Sequence, residues 1–123
     1  MATTIESALF SLLGSLVGNR CYPDATPDNP TFPCIVYQVV GGQAIDFLDR
    51  TLPDDENYRV QVMCFAKTRA AASSLALQVR EKIIEKGTAF ASAQTLGQAV
   101  SLYEEPLKLH GSRQDYDIWI KAR

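Results

Sequence analysis

Between residues 57 and 68 apolar and polar side chains alternate with a period of two. Tyr58, Val60, Val62 and Cys64 fall on one side of a pleated strand, and Arg59, Gln61 and Met63 on the other. One side is dry and the other mostly wet. This predicts a sheet with helices on one face only and a polar face left for solvent or a partner. Residues 34–40 form a second apolar run, stopped by Gly41 and Gly42, which let the chain bend. Residues 98–103 and 116–121 alternate as two further strands, joined by a connection over 104–113 that contains Pro106 and Gly111.

The helical period appears twice. Thr3 and Glu6 have the spacing of a capping box, so a first helix is expected to run to about Val17. Ile5, Leu9, Leu12 and Leu16 make its core stripe, and Phe10, Leu13 and Val17 add a second apolar stripe beside it. That width suits either a thick core or a helix packed partly on a neighbouring subunit. Gly18 and Asn19 end it with residues that tolerate the left-handed conformation. Thr68 is placed to cap a second helix reaching Lys86, with Gly87 as its terminator and Ala72, Leu75, Ala76, Val79 and Ile83 as its buried stripe. Residues 88–97 are small and polar and read as a connection. Pro23, Pro27, Pro30 and Pro33 interrupt regular structure over residues 21–33, predicting an irregular, proline-rich arm. The expected fold is α+β, one domain over residues 1–123. A four-stranded, mainly antiparallel sheet packs against two helices in the order helix-strand-strand-helix-strand-strand.

Composition narrows the function classes. A chain of 123 residues, 46% hydrophobic and 21% charged, is an ordinary globular domain. A formal net charge of −2 argues against a dedicated nucleic-acid binder, which needs a basic surplus. The basic residues, among them Arg59 and Lys121 on expected strands, are dispersed along the chain. Cys21, Cys34 and Cys64 lack the close spacing of zinc ligands, and reduced thiols in a cytoplasmically made protein are expected. Residues 4–17 are apolar but too short to span a bilayer, and no basic region precedes them as in a signal peptide.

Candidate chemistry is sparse. His110 is the only histidine, sits in an expected loop and has no ligand or relay partner at a useful spacing. Asp54-Asp55 and Glu104-Glu105 read as solvated pairs, and Gly41-Gly42 lacks the helix start with Lys and Ser or Thr that a phosphate cradle requires. No catalytic, cofactor-binding or metal-ligating residue is assigned. The conspicuous segment is the acidic hairpin loop at about 42–56. Asp46, Asp49, Asp54, Asp55 and Glu56 stand there against Arg50, with Phe47 and Leu48 embedded among them. It is either a solvated loop or a docking loop that orders on assembly.

Taken in order, Arg20-Cys21-Tyr22-Pro23, Pro33-Cys34-Ile35-Val36-Tyr37-Gln38, Tyr58-Arg59-Val60-Gln61-Val62 and Ala66-Lys67-Thr68-Arg69 before an alanine-rich helix carry a resemblance. The chain resembles the tail-completion, or tail-terminator, proteins of long-tailed bacteriophages over nearly its whole length, departing at Cys21 and Cys34. The resemblance implies a virion structural protein, not an enzyme, that forms a ring, commonly a hexamer. Such a ring caps the head-proximal end of the tail tube, stops tube growth and presents a joining surface to the neck. Implied partners are further copies of the chain, the tail tube protein, neck or head-completion proteins, and DNA passing through the lumen without sequence-specific binding. No membrane is involved. Candidate interface residues are then Phe10, Leu13 and Val17 on the first helix and Asp46, Phe47, Leu48, Asp49, Arg50, Asp54, Asp55 and Glu56 on the hairpin, with the proline-rich arm adding lateral contacts. The nearest alternative is another neck component, a head-closure or adaptor protein. A monomeric ligand-binding module or small enzyme on the same scaffold is the alternative of a different class.

Overall fold

A computed structural model of the chain describes residues 4–121. Helix α1 covers Ile5–Leu13 and tightens into a 3-10 turn over Gly14–Val17. Strands β1 (Cys21–Pro23), β2 (Cys34–Val39) and β3 (Asp55–Ala66) follow, then helix α2 (Arg69–Lys86) and strands β4 (Phe90–Glu104) and β5 (Leu109–Lys121). The sheet has five strands in the order β1-β2-β3-β5-β4. All neighbours are antiparallel except β1 and β2.

The α+β class and the single helical layer are as expected, but the strand count and order are corrected. The fifth strand is β1, inside the segment read as irregular, so three strands separate the helices instead of two. It pairs Tyr22 with Val36, and Ile35 N and Asp24 N donate to Arg20 O and Tyr37 O at 2.9 and 2.8 Å. Three residues are too few to show a period, and Pro23 is tolerated because β1 lies at the sheet edge.

The other correction concerns length. Residues 88–97 are not a connection: β4 starts at Phe90 and β5 at Leu109, leaving a tight turn in which Lys108 has φ 49°. As an edge strand with most of its side chains exposed, β4 has no burial pattern to read. Its pairing with β5 also slips between Phe90 and Ser92 and between Leu96 and Val100, and such bulges erase alternation. His110 is therefore half-buried on β5 instead of exposed in a loop, its ring tilted against Tyr103 at a centroid distance of 4.8 Å.

The core forms on one face of the sheet. Val60, Val62 and Cys64 of β3 and Tyr116, Ile118 and Ile120 of β5 meet Leu9, Leu13 and Val17 from the first helical segment and Leu75, Val79 and Ile83 from α2. Each such aliphatic side chain contributes about 1.5–3 kcal/mol on burial. The 3-10 turn winds more tightly than the preceding helix and brings Val17 inward, while Leu12 and Leu16 are only partly buried. Thr4, not Thr3, caps α1 by accepting from Ser7 N at 3.2 Å; Thr3 lies outside the described residues. Thr68 caps α2 by accepting from Ala71 N at 3.1 Å. Arg69 then ties this helix to the β4–β5 hairpin, donating from Nη2 to Gly111 O and Ser112 Oγ.

Gly87 ends α2 as expected, but without a left-handed turn. Its φ is −79°, open to any residue, but a Cβ there would lie 2.5 Å from the Phe90 ring and 2.7 Å from Ile83 O. Gly87→Ala should therefore lower stability by about 1–3 kcal/mol through overpacking, read as a lower urea midpoint at unchanged slope.

Cys21, Cys34 and Cys64 are free and buried. Burial pushes Cys21 and Cys64 up to about 12 from 9.0, with neighbouring thiols adding to it. Burial takes Cys34 to about 11, against the pull of the Arg20 guanidinium. Below pH 9 the thiols are protonated in both folded and unfolded chains and add no pH dependence. Above it the unfolded chain ionises first, so stability should fall progressively from about pH 9 to about pH 12. Denaturant titrations across that range check this. A thiol reagent at pH 8 should find all three cysteines only after unfolding.

Candidate assembly interface

Strands β2 and β3 are antiparallel neighbours that a two-residue turn could join, yet residues 40–54 intervene. The root of this connection is fixed to the sheet. Val40 N donates to Arg59 O and Arg59 N to Gly41 O, each at 2.8 Å, and Gln43 N donates to Asn57 Oδ1 at 2.9 Å. Gly42 has φ 140° and runs so close to the Asn57 and Tyr58 backbone that a side chain could not fit.

The tip forms its own turn. Phe47 N donates to Thr51 O at 3.2 Å and Arg50 N to Phe47 O at 2.9 Å, with Arg50 at φ 69°. Thr51 donates from N and Oγ1 to Asp49 Oδ1, and these bonds hold the Asp49 carboxyl below its usual range. On this frame Leu48 is fully exposed, and Phe47 and Leu52 are 49% and 52% exposed. Leu52 escaped the sequence reading because it sits beside Pro53 and outside any periodic segment.

The candidate residues do not all gather there. Asp46, Asp49, Arg50 and Asp54 are exposed on the connection, but Asp55 and Glu56 begin β3 opposite Lys121 and Ile120, so the loop closes at residue 54 and not 56. Leu13 and Val17 are 0% and 2% exposed and belong to the subunit's own core, which removes them as interface residues. Phe10, at 41%, is what remains of that stripe at the surface.

The helix-free sheet face supplies a second surface. Arg59 Nη2 pairs with Asp115 Oδ2 at 3.0 Å, and Asn57 Nδ2 donates to Asp117 Oδ1. A groove of about 550 Å³ lies beside them, lined by Gly42, Gln43, Asn57, Arg59, Leu96, Asp117 and Trp119. Asp115 was missed because the last strand was expected to start at Tyr116. The alternation of Asp115, Asp117 and Trp119 against Tyr116, Ile118 and Ile120 is the signal that finds it. Arg59 was placed correctly on this face.

His110 faces Tyr103, and among the described residues no group of three or more His, Cys, Asp or Glu side chains is placed to hold a metal ion. No helix among them is long and apolar enough to cross a membrane.

Comparison with known proteins supplies the family. A chain from a solved structure described as the virion of a native gene transfer agent particle superposes with a TM-score of 0.64, covering 96% of this chain and 95% of that one at 15% identity. At that identity the likeness speaks for the fold. No functionally curated protein matches the chain. The family described as tail completion protein gp17 matches residues 7–121. The chain therefore belongs to the tail completion protein gp17 family and is a bacteriophage tail structural protein.

Proposed function

We propose that the protein acts by geometry, as a subunit of a ring, six copies in the expected form, at the head-proximal end of the phage tail tube. The ring ends tube growth and offers the joining surface to the neck, and it performs no bond chemistry. The observation that carries this reading is the ordered acidic arm of residues 40–54. It holds Phe47, Leu48 and Leu52 in solvent on a turn of its own, a display a monomer has no use for. The arm and the polar sheet face are unlike surfaces of one chain. Contacts between unlike surfaces repeat head to tail and close a ring where the rotation between neighbours completes a circle, whereas self-complementary ones stop at two copies. A net charge of −2 also suits a lumen through which DNA must slide without being held.

Because the three apolar tip residues are exposed, Phe47→Ser, Leu48→Ser and Leu52→Ser together should leave stability within about 0.5 kcal/mol of the parent. In phage carrying the triple change, electron microscopy should show overlong tails without heads. Tails of normal length that fail to attach would instead assign the protein to head joining alone, as a closure or adaptor component. Normal yields of infectious particles would show that the arm has no part in assembly.

A further inference from the structure

Strand β4 is an edge. One side pairs with β5 and the other pairs with no strand among the described residues, along an element of fifteen residues. From Phe90 through Tyr103 it carries no charged residue and no proline. Sheet edges in soluble proteins are ordinarily blunted by lysines, prolines or brevity, because bare N–H and C=O groups recruit other chains. The opposite edge follows that rule: β1 has three residues and ends in Pro23. On β4 the only such device is the pair of register shifts, both before Val100. Residues 100–104 are regular, pair one-for-one with β5, and expose Val100 at 46% and Tyr103 at 50%.

We propose that this segment of β4 accepts, by strand addition, the arm of residues 40–54 from a second copy of the chain. The inference rests on the ring reading above and supplies the receiving surface. Three strand donors within the chain can be weighed. Another β4 would pair about a two-fold axis and close at two copies, and β1 is too short. The arm has the required backbone, since Ala44, Ile45 and Asp46 make no hydrogen bond within the subunit. The arm's root is bonded at Asn57–Arg59 of β3, whereas residues 100–103 lie level with Met63–Ala66 further along that strand, and among the described residues no hydrogen bond links the arm to residues 100–104 within one subunit.

Charge agrees with this pairing. Arg113 lies opposite Val100, Lys108 sits in the following turn, and neither is in an ion pair among the described residues. Asp46, Asp49 and Asp54 exceed the single Arg50 on the arm. Glu104 and Glu105 flank the turn, so the acids of the arm belong at the Arg113 end of the segment.

The test uses the full chain assembled on tail tubes. Val100→Lys should leave the melting temperature of the free chain unchanged and weaken ring formation by about tenfold or more. A Leu48→Cys, Val100→Cys chain, whose native thiols are buried, should give with a short bismaleimide a ladder of covalent multimers running past the dimer. Rings that form undiminished with Val100→Lys and yield no ladder would overturn the strand addition while leaving the ring intact. Crosslinking that stops at dimers would overturn it in favour of a two-fold contact. Failure of the parent chain to form any ring on tubes would overturn both readings.

Discussion

The structure depends on one seam, where the inward side chains of β3 and β5 meet both helices. Val60, Val62, Tyr116 and Ile118 lie at the centre of the sheet and are at most 1% exposed, closed over by Leu9, Leu13 and Val79. Apolar area removed from water is the term that offsets chain entropy in a domain of this size. With both helices committed to this side, the other is covered only in part, at Cys34 and Val36 and where the root of the arm meets Asn57. The polar face, the bare edge of β4 and the long arm are what remains once the seam is formed.

How much of this the sequence reveals follows from where each residue stands relative to the seam. Residues 57–66 alternate because one side is dry, and their strand was legible at once; α2 was legible from Thr68 to Lys86 for the same reason at helical period. Strand β1 was hidden because three residues beside a proline carry no period, and the first half of β4 because an edge strand with bulges buries almost nothing. The first helix misled in a different way. Its apolar residues exceed a single stripe, and only the 3-10 turn after Leu13 shows that Leu13 and Val17 complete the core.

The proposed interface was legible in part. Acid beside Phe47 and Leu48 marked the arm, since nothing in a core needs that combination. Asp115, Asp117 and Trp119 reach the open face through the register of β5 on β3, a long-range fact that no local pattern states. The residues that distinguish this chain from a plain sheet-and-helix domain are the ones its own core leaves outside.

The root of the arm has one further consequence. Glycine at 42 and the Asn57 side chain anchor residues 40–43, while the turn around Phe47 and Thr51 is held by bonds within the tip. Folding and tip sequence are thereby decoupled. Mutations can accumulate at residues 45–52 without touching the domain that carries them, so this stretch is free to follow changes in whatever it meets, and adaptation to a new neighbour need not risk the stability of the whole.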